Sequence, residues 1–309
     1  MNKFEIAEYC DFVKKLFGVA IPILENNYSE LVLAASNNIN DAILWKNDSL
    51  KSEIVTKGEQ LAEAAMRAIV NDRYPSHGIA GEELGYEIND SGFLWAFDPI
   101  DGTAAMVQSA INQAKSITCA DNCKPYFGIT IALLHNNQPI IGAVYDFQNH
   151  NFWLGCLGSP TILNGEIIKI ADCKQLNDAI IASTAPEIMF SSTVQQNKFA
   201  SIRAKARSIY TNRNCIGFMQ LLTGEIDAVW EGDLALHDIA AIIPILQNAG
   251  LHVTDEAGEE IKFEHQNYDN EYRVIASQAK LHAEILENID ENYVGFFSQP
   301  NNDFYNKKF

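Results

Sequence analysis

Residues 95–103 read Trp-Ala-Phe-Asp-Pro-Ile-Asp-Gly-Thr. The apolar run Phe93–Phe97 predicts a buried strand, and it leads directly into two aspartates three residues apart. Pro99 stiffens the turn between them, and Gly102 permits a close approach of a ligand to the backbone. Hard divalent cations such as Mg²⁺ prefer oxygen ligands, so two carboxylates at the end of a strand predict a metal site.

The residues after this turn predict the start of a phosphate-binding helix. Residues 104–108 read Ala-Ala-Met-Val-Gln, a helix-forming run directly after Thr103. Free backbone N–H groups at a helix start, together with the helix macrodipole, favour a bound anion. The stretch 98–103 therefore combines carboxylates for a metal with amides for a phosphate.

Two further acidic motifs lie outside this turn. Gly81-Glu82-Glu83 precedes the strand, and Asp238 precedes the apolar run Ile239–Ala249. Each motif alone has an ordinary structural explanation, because DPxDG is typical of a surface turn, paired glutamates of a solvated loop and Asp238 of a helix N-cap. The functional hypothesis therefore requires all of these carboxylates to meet in one pocket.

Hydrophobic periodicity predicts helices first, then a sheet, then an alternating half. Helical spacing covers residues 4–17, 29–44 and 57–70, and short β-rich runs follow from Phe93. An Asn-Gly hairpin turn lies within Thr161–Ile170, and strands alternate with helices from Ala179 onward, including one helix over His237–Ala249. This order predicts an α/β (α+β) fold in the form of a layered sandwich.

The same pattern suggests a division of the chain. Residues 1–175 would form an N-terminal α+β half that carries most metal ligands, and 176–292 a C-terminal α/β half that carries Asp238 and substrate contacts. Residues 293–309 form a tail rich in Asn, Phe and Tyr. The polar stretch Ser109–Lys124 predicts a loop or insertion, which we interpret as a lid at the mouth of the site.

Composition limits the partners. Acidic residues outnumber basic ones 40 to 22, giving a net charge of −18, which repels nucleic-acid backbones and anionic membranes. The apolar stretch Leu16–Leu24 is too short to span a bilayer, and acidic residues precede it, which is atypical of a signal peptide. We therefore expect a cytoplasmic protein that binds neither nucleic acid nor membrane.

Taken together, the motifs closely resemble those of the inositol monophosphatase superfamily. The resemblance rests on GEE, then WxxDPIDGT, then an Asp-Ile-Ala-Ala helix, and it extends from about Glu53 to Ser277. It implies a layered αβαβα sandwich of the inositol monophosphatase and fructose-1,6-bisphosphatase type. It also implies a magnesium-dependent, lithium-sensitive phosphomonoesterase, commonly a homodimer.

The resemblance implies a set of metal ligands. Glu82, Asp98 and the backbone carbonyl of Ile100 would hold the first metal. Asp98, Asp101 and Asp238 would hold the second.

A third metal and the catalytic water involve an earlier helix. Glu82 and Glu59 would hold or orient the third ion, so about two to three Mg²⁺ ions are expected. Thr103 would polarise the attacking water, partnered by a carboxylate at either Glu53 or Glu59. The implied catalytic residues are Glu82, Thr103, Asp98 and Glu59.

Substrate contacts follow in the same way. The backbone amides of the DGT turn would bind phosphate, and polar side chains of the second half would bind the rest of the substrate. The implied substrate-binding residues are Asp101, Gly102, Thr103, Asn214, Glu231 and Asp238.

Within the superfamily, the chain is closest to the histidinol-phosphatase branch. Pro125–Gly128, Thr184–Phe190 and Ile239–Pro244 carry this finer resemblance. In that branch a Gly-Asp-Cys-Tyr segment lines the substrate pocket, whereas this chain has Arg213–Ile216, in which Asn214 replaces the acid. An amide still hydrogen-bonds but lacks the charge, which weakens the case for a cationic amino-alcohol substrate.

The expected function is hydrolysis of a small phosphate monoester, of the histidinol phosphate or inositol monophosphate type, by direct attack of metal-activated water. A 3′(2′),5′-bisphosphate nucleotidase or a sugar bisphosphatase on the same scaffold is an alternative. A non-catalytic descendant that binds phosphate or a partner is another, because Glu59, Ala104 and Asn214 depart from the common pattern.

Overall fold

The computed structural model describes residues 3–37, 39, 43–47, 52–264 and 270–294. The helices of the described chain are α1 (Lys3–Ala35), α2 (Lys57–Arg73), α3 (Thr103–Lys115), α4 (Pro186–Met189), α5 (Thr193–Arg203), α6 (Asn214–Thr223), α7 (Leu236–Ile239), α8 (Ile242–Asn248) and α9 (Ala279–Asn288). No helix in these ranges is long and apolar enough to cross a membrane. Of the predicted tail, residues 295–309 lie outside the described residues.

The strands form a small hairpin and two larger sheets. The hairpin pairs β1 (Leu44–Asn47) with β2 (Ser52–Val55). The first sheet contains β3 (Gly78–Gly81), β4 (Gly85–Glu87), β5 (Phe93–Asp101), β6 (Gly128–His135), β7 (Gln138–Asp146), β8 (Asn151–Cys156), β9 (Ile162–Leu163) and β10 (Glu166–Ile167). The second contains β11 (Ile180–Ala182), β12 (Ser208–Tyr210), β13 (Ala228–Leu234), β14 (His252–Thr254) and β15 (Tyr272–Ser277).

The first sheet is antiparallel except where β3 runs parallel to β5, and its order is β10-β9-β8-β7-β6-β5-β3-β4. The second is mixed, with the order β12-β11-β13-β15-β14. The predicted hairpin is confirmed, because β9 pairs antiparallel with β10. The predicted division after residue 175 falls between the two sheets, although one hydrophobic cluster includes residues from both of them.

Alternating burial along the strands explains the layers. In β5, Trp95 and Phe97 pack into the cluster that includes α1, α2 and α3, whereas Leu94 and Ala96 pack into the cluster that includes α6, α7 and α8. The second sheet is also covered on both faces, because Trp230 belongs to a third cluster with residues of α5 and α9. The order helices, sheet, helices, sheet, helices confirms the αβαβα sandwich.

Three helix predictions need correction. Helix α1 is continuous from Lys3 to Ala35, with Pro22 inside it and no break between the predicted segments 4–17 and 29–44. Its apolar side is buried on both sides of the proline, from Phe12 to Leu31, and this burial outweighs the ~3 kcal/mol that an internal proline costs. Leu44 begins β1 instead of ending a helix, and the predicted helix over His237–Ala249 is divided into α7 and α8.

The predicted loop Ser109–Lys124 is wrong in its first half, because α3 continues to Lys115. Ala110 and Ile111 are buried one turn after Met106 and Val107, so the helix has an apolar face that its polar residues obscured in the sequence. The Tyr28 hydroxyl also hydrogen-bonds Ser109 at 3.0 Å, which fixes α3 against α1.

Candidate metal and phosphate site

Strand β5 ends in the two aspartates. Asp98 pairs with Thr130 of β6 and Asp101 with Gly128, with a register shift between these pairs. The Ile100 N–H donates to Asp98 Oδ1 at 2.9 Å, which fixes the turn between the two aspartates. This register shift is a β-bulge, and it changes the direction of the strand at the point where the sequence changes from apolar to acidic.

Asp238 reaches the same place from α7. One carboxylate oxygen from each of Asp98, Asp101 and Asp238 lies within 4.8 Å of the others. The Ala235 N–H donates to Asp238 Oδ2 at 2.7 Å, and the Thr130 hydroxyl donates to the carbonyl of the residue before Asp238 at 2.8 Å. The first bond caps α7, and the second ties α7 to β6, next to the β5 turn.

Glu82 joins the cluster from the residue after β3. Its N–H donates to the Phe97 carbonyl at 3.2 Å, and its carboxyl group hydrogen-bonds that of Asp98. The parallel pairing of Gly81 with Phe97 explains this placement, because it brings the end of β3 beside the end of β5. All four predicted metal-ligating side chains thus lie together, and the Ile100 carbonyl lies in the turn between them.

The electrostatics of the cluster fit a divalent cation. Burial raises the pKa of Glu82 and of Asp101 to about 8, with the charge of Asp238 adding to the effect on both. Burial, then the charge of Glu82, raises the pKa of Asp98 well above its ordinary value. Among the described residues, no lysine or arginine forms an ion pair with the three aspartates. Hard oxygen donors that no lysine or arginine of the described residues pairs with therefore suit Mg²⁺.

Thr103 and Glu59 form a hydroxyl–carboxyl pair beside this cluster. The Thr103 hydroxyl donates to Glu59 Oε1, and Glu59 Oε2 accepts both the N–H and the hydroxyl of Thr56 at 2.6 Å. Burial raises the pKa of Glu59 to about 7, and the hydrogen bonds from the two threonines oppose that rise. Of the two partners considered for Thr103, the structure places Glu59 in contact. The side chain of Glu53, in β2, lies outside the described part of the chain.

The predicted phosphate-binding turn has the required backbone. Gly102 has φ 100° and ψ 46°, in the left-handed region, and a Cβ there would lie 2.4 Å from Asn214 Nδ2. Only glycine fits such a position. Helix α3 begins at Thr103, so the N–H groups of its first turn have no acceptor within the helix and are available to an anion.

Two predicted substrate contacts, Asn214 at the start of α6 and Glu231 in β13, are joined through Thr184. Asn214 donates from Nδ2 to the Tyr126 carbonyl at 2.6 Å and from its backbone N–H to the Thr184 hydroxyl at 2.8 Å. That hydroxyl donates to Glu231 Oε1 at 2.7 Å, and burial raises the pKa of Glu231 to about 7. The Cys215 N–H donates to Asp101 Oδ2, which connects these residues to the acidic cluster.

The segment after α3 is anchored beside these contacts. The Asn122 carbonyl accepts the Thr211 N–H at 2.8 Å, and the Arg213 guanidinium donates to the Asp121 carbonyl. Arg213 is itself stacked between the rings of Tyr126 and Tyr210, 4.5 and 4.9 Å from their centroids. The lid interpretation stays a prediction, and any opening would have to break these contacts.

Sequence reasoning missed two acidic neighbours. The charge of Glu83 contributes to the raised pKa of both Glu59 and Glu82, although only Glu82 of the GEE motif was assigned a role. Glu63 is fully buried and contacts the backbone after Glu82. Its position four residues after Glu59 places it on the same face of α2, and that spacing was the available signal.

The metal-free protein is expected to lose stability between about pH 6.5 and pH 8. The raised pKa values of Glu82 and Asp101, about 8 against ordinary values of 4.5 and 3.8, mean that the folded state holds protons that the unfolded chain has released. Stability therefore falls as pH rises through this window. Melting temperatures of chelator-treated protein at the two pH values measure the effect.

Two buried histidines set the lower limit of that window. Burial lowers the pKa of His77 and His282 from 6.5 to about 4, so these groups add stability as pH rises to 6.5 and oppose the carboxyl effect only below it. Added Mg²⁺ should restore the melting temperature at about pH 8, because it favours the ionised cluster. A chelated protein that is more stable at pH 8 than at pH 6.5 would contradict the prediction.

The chain is similar to several known proteins. A family model described as the inositol monophosphatase family matches residues 8–293. The bifunctional phosphatase IMPL2 of Arabidopsis thaliana, a chloroplastic protein, is 30% identical over 241 residues, covering 76% of this chain and 65% of its own length. The Nus factor SuhB of Vibrio cholerae is 26% identical over 247 residues, covering 78% of this chain and 84% of its own.

A solved structure shows the same likeness. An inositol monophosphatase from Zymomonas mobilis superposes with a TM-score of 0.68 at 26% identity, covering 93% of this chain and 98% of the other. The likeness thus extends through both halves of the sandwich.

Proposed function

The chain belongs to the inositol monophosphatase family, and from this premise we propose that it is a magnesium-dependent phosphatase acting on a small phosphate monoester. One observation carries the proposal. Carboxylates from three distant parts of the chain, including Glu82, Asp98 and Asp238, meet beside a glycine turn that begins a helix. Such a site offers oxygen ligands to a cation and backbone donors to a phosphate at the same time.

The metal ligands are proposed as two overlapping sets. Glu82, Asp98 and the Ile100 carbonyl would hold one ion, and Asp98, Asp101 and Asp238 a second. When bound, Mg²⁺ would supply a Lewis acid that lowers the pKa of water and neutralises charge on the phosphoryl oxygens.

The third ion and the water involve Glu59. Glu82 and Glu59 would orient a third ion, giving about two to three in all. The Thr103 hydroxyl, which donates to Glu59, would orient the attacking water and pass its proton toward that carboxylate. The pKa of about 7 suits Glu59 to this exchange near neutral pH.

The remaining groups would hold the substrate. The backbone N–H groups of Gly102 and Thr103 would bind the phosphate, whose developing charge the start of α3 stabilises. Asn214 and Glu231 would contact the alcohol that leaves, since both are joined to the Thr184 hydroxyl close to the acidic cluster. Direct attack of water on phosphorus needs no covalent phosphoenzyme.

For the substrate, we propose a histidinol phosphate or inositol monophosphate type, with nucleoside or sugar bisphosphates as the alternative. Asn214 supports a neutral leaving group better than a cationic one, because its amide side chain carries no charge. A cytoplasmic, homodimeric protein that does not bind nucleic acid remains our expectation.

A binding role without catalysis is the second candidate. The Vibrio relative is named as a Nus factor, and this name refers to no hydrolytic activity. A similar chain could therefore act by binding alone. Hydrolysis of a generic phosphate ester that stops with chelator would exclude a purely binding role.

The proposal is tested with a steady-state panel of histidinol phosphate, inositol 1-phosphate, a sugar bisphosphate and adenosine 3′,5′-bisphosphate. We expect Mg²⁺-dependent release of phosphate from one class, activation and then inhibition as Mg²⁺ increases, and inhibition by Li⁺. Chelator serves as the control on every substrate. Hydrolysis that ignores Mg²⁺ and Li⁺, or no hydrolysis of any substrate, would contradict the proposed function.

A further inference from the structure

Glu63 is a fully buried carboxylate that the proposed chemistry does not use. It lies on α2, one helical turn after Glu59, with no exposed side-chain surface. Its oxygens accept the N–H of Glu83 at 2.7 Å and the N–H of Leu84 at 3.1 Å. The carboxylate therefore binds the backbone directly after Glu82.

Gly81, the residue before Glu82, leaves room for this carboxylate because it has no side chain. A Cβ on Gly81 would lie 1.9 Å from Glu63 Oε1, so any side chain there would displace Glu63 from the turn. Glu82 is thus held from both sides. Its own N–H bonds the Phe97 carbonyl, and the next two N–H groups bond Glu63.

Arg67 compensates the buried charge. Its Nε donates to Glu63 Oε1 at 2.7 Å, and its side chain is only 7% exposed. The same guanidinium donates to Glu87 Oε1 at 2.9 Å and to the Gly85 carbonyl. Arg67 therefore ties α2 to β4 and pairs with Glu63 beside the turn.

We propose that Glu63, balanced by Arg67, is a positioning residue that holds Glu82 in the acidic cluster and thereby sets the affinity for the metal ion. The inference rests on the proposed function. The like charge of Asp238 lies near Glu82, so without a cation repulsion favours moving this residue away. The bonds from Glu63 to the two following N–H groups oppose that movement in the metal-free protein. Because Glu82 is already in place, binding of the ion costs less conformational entropy.

The test is Glu63→Gln, with binding of Mn²⁺ alone and Mg²⁺ alone measured by isothermal titration calorimetry. Glutamine keeps the size of the side chain but replaces one acceptor oxygen by a donor, so it cannot serve Arg67 and both N–H groups at once. We expect a dissociation constant raised about 10- to 100-fold. With saturating Mg²⁺, kcat should return to within about threefold of the wild-type value, because Glu63 does not touch the reacting atoms.

Glu87→Gln is the matched control. Glu87 binds the same Arg67 but is half-exposed and makes no bond to the turn after Glu82. We expect this variant to keep the wild-type dissociation constant. An equal loss of affinity in Glu87→Gln and Glu63→Gln, or no loss in Glu63→Gln, would overturn the positioning role.

A double variant separates positioning from folding. Glu63→Gln with Arg67→Met removes both buried charges together, so no uncompensated charge remains if the single variant fails to fold. The double variant should fold and still bind Mn²⁺ about 10- to 100-fold more weakly; wild-type affinity in it would overturn the role. If the wild-type protein binds no Mn²⁺, the proposed function itself is overturned. If the wild-type protein binds Mn²⁺ and Glu63→Gln binds it equally well, only the positioning role is overturned.

Discussion

Asp98→Asn is expected to lower kcat/KM by about 10³-fold or more, while it stabilises the metal-free protein. Asp98 is proposed as a ligand in both metal sites, so the substitution would weaken both at once. In the metal-free protein the same carboxylate is buried against Glu82, Asp101 and Asp238, and the amide removes that repulsion. Steady-state rates with excess Mg²⁺, together with melting temperatures in chelator at about pH 8, measure the two effects.

Asp146→Asn is the control for this opposite pair of effects. Asp146 and Asp98 are equally buried, each 1% exposed, and each lies at or near the end of a strand of the first sheet. Asp146 accepts the N–H of Gln148 at 2.8 Å and the side-chain amide of Asn149 at 2.6 Å, so its carboxylate is satisfied by donors. The control should lose stability by about 1–3 kcal/mol and keep its metal affinity. If Asp98→Asn also destabilised the chelated protein, the cluster would not be the source of strain that we infer.

The layers of the fold were predictable because they depend on short-range patterns. Alternation of residues such as Trp95 and Ala96 assigns the two faces of β5, and the order of helices and strands then fixes the sandwich. The gap left between the predicted helical segments 4–17 and 29–44 was wrong, because α1 is continuous through Pro22 and its apolar side is buried on both sides of that residue. Residues 109–115 were misassigned because their apolar face is visible only with Met106 and Val107 included.

The parts of the candidate site that depend on side chains in sequence motifs could be predicted. The parts that depend on hydrogen bonds from backbone groups could not. The family resemblance carried by the motifs of Glu82, Asp98 and Asp238 implied a shared pocket, and the structure places these side chains together. The donor to Asp101 is the N–H of Cys215, which every residue type except proline provides, so no side-chain pattern announces it. The role proposed for Glu63 likewise depends on acceptors for backbone groups that only the folded chain brings near.

Thr103→Val is expected to lower kcat by about 10²- to 10³-fold without changing the dissociation constant for Mn²⁺. Valine has the shape of threonine without the hydroxyl, so it removes the group that joins the attacking water to Glu59 and leaves the N–H of residue 103 in place. Saturating kinetics with Mg²⁺ and calorimetry with Mn²⁺ separate the two quantities.

The matched variant is Thr103→Ser, which restores the hydroxyl and should recover kcat to within about tenfold of wild type. The expected pattern is the reverse of that for Glu63→Gln, in which metal affinity falls and kcat at saturation is kept. Loss of the Thr103 hydroxyl would then lower kcat, and loss of the Glu63 carboxylate would weaken metal binding, because Thr103 orients the attacking water and Glu63 orients a metal ligand. If Thr103→Val lost Mn²⁺ affinity to the same extent as kcat, or if serine failed to restore the rate, the hydroxyl would act in holding the site together and the assignment of Thr103 to the proton path would be wrong.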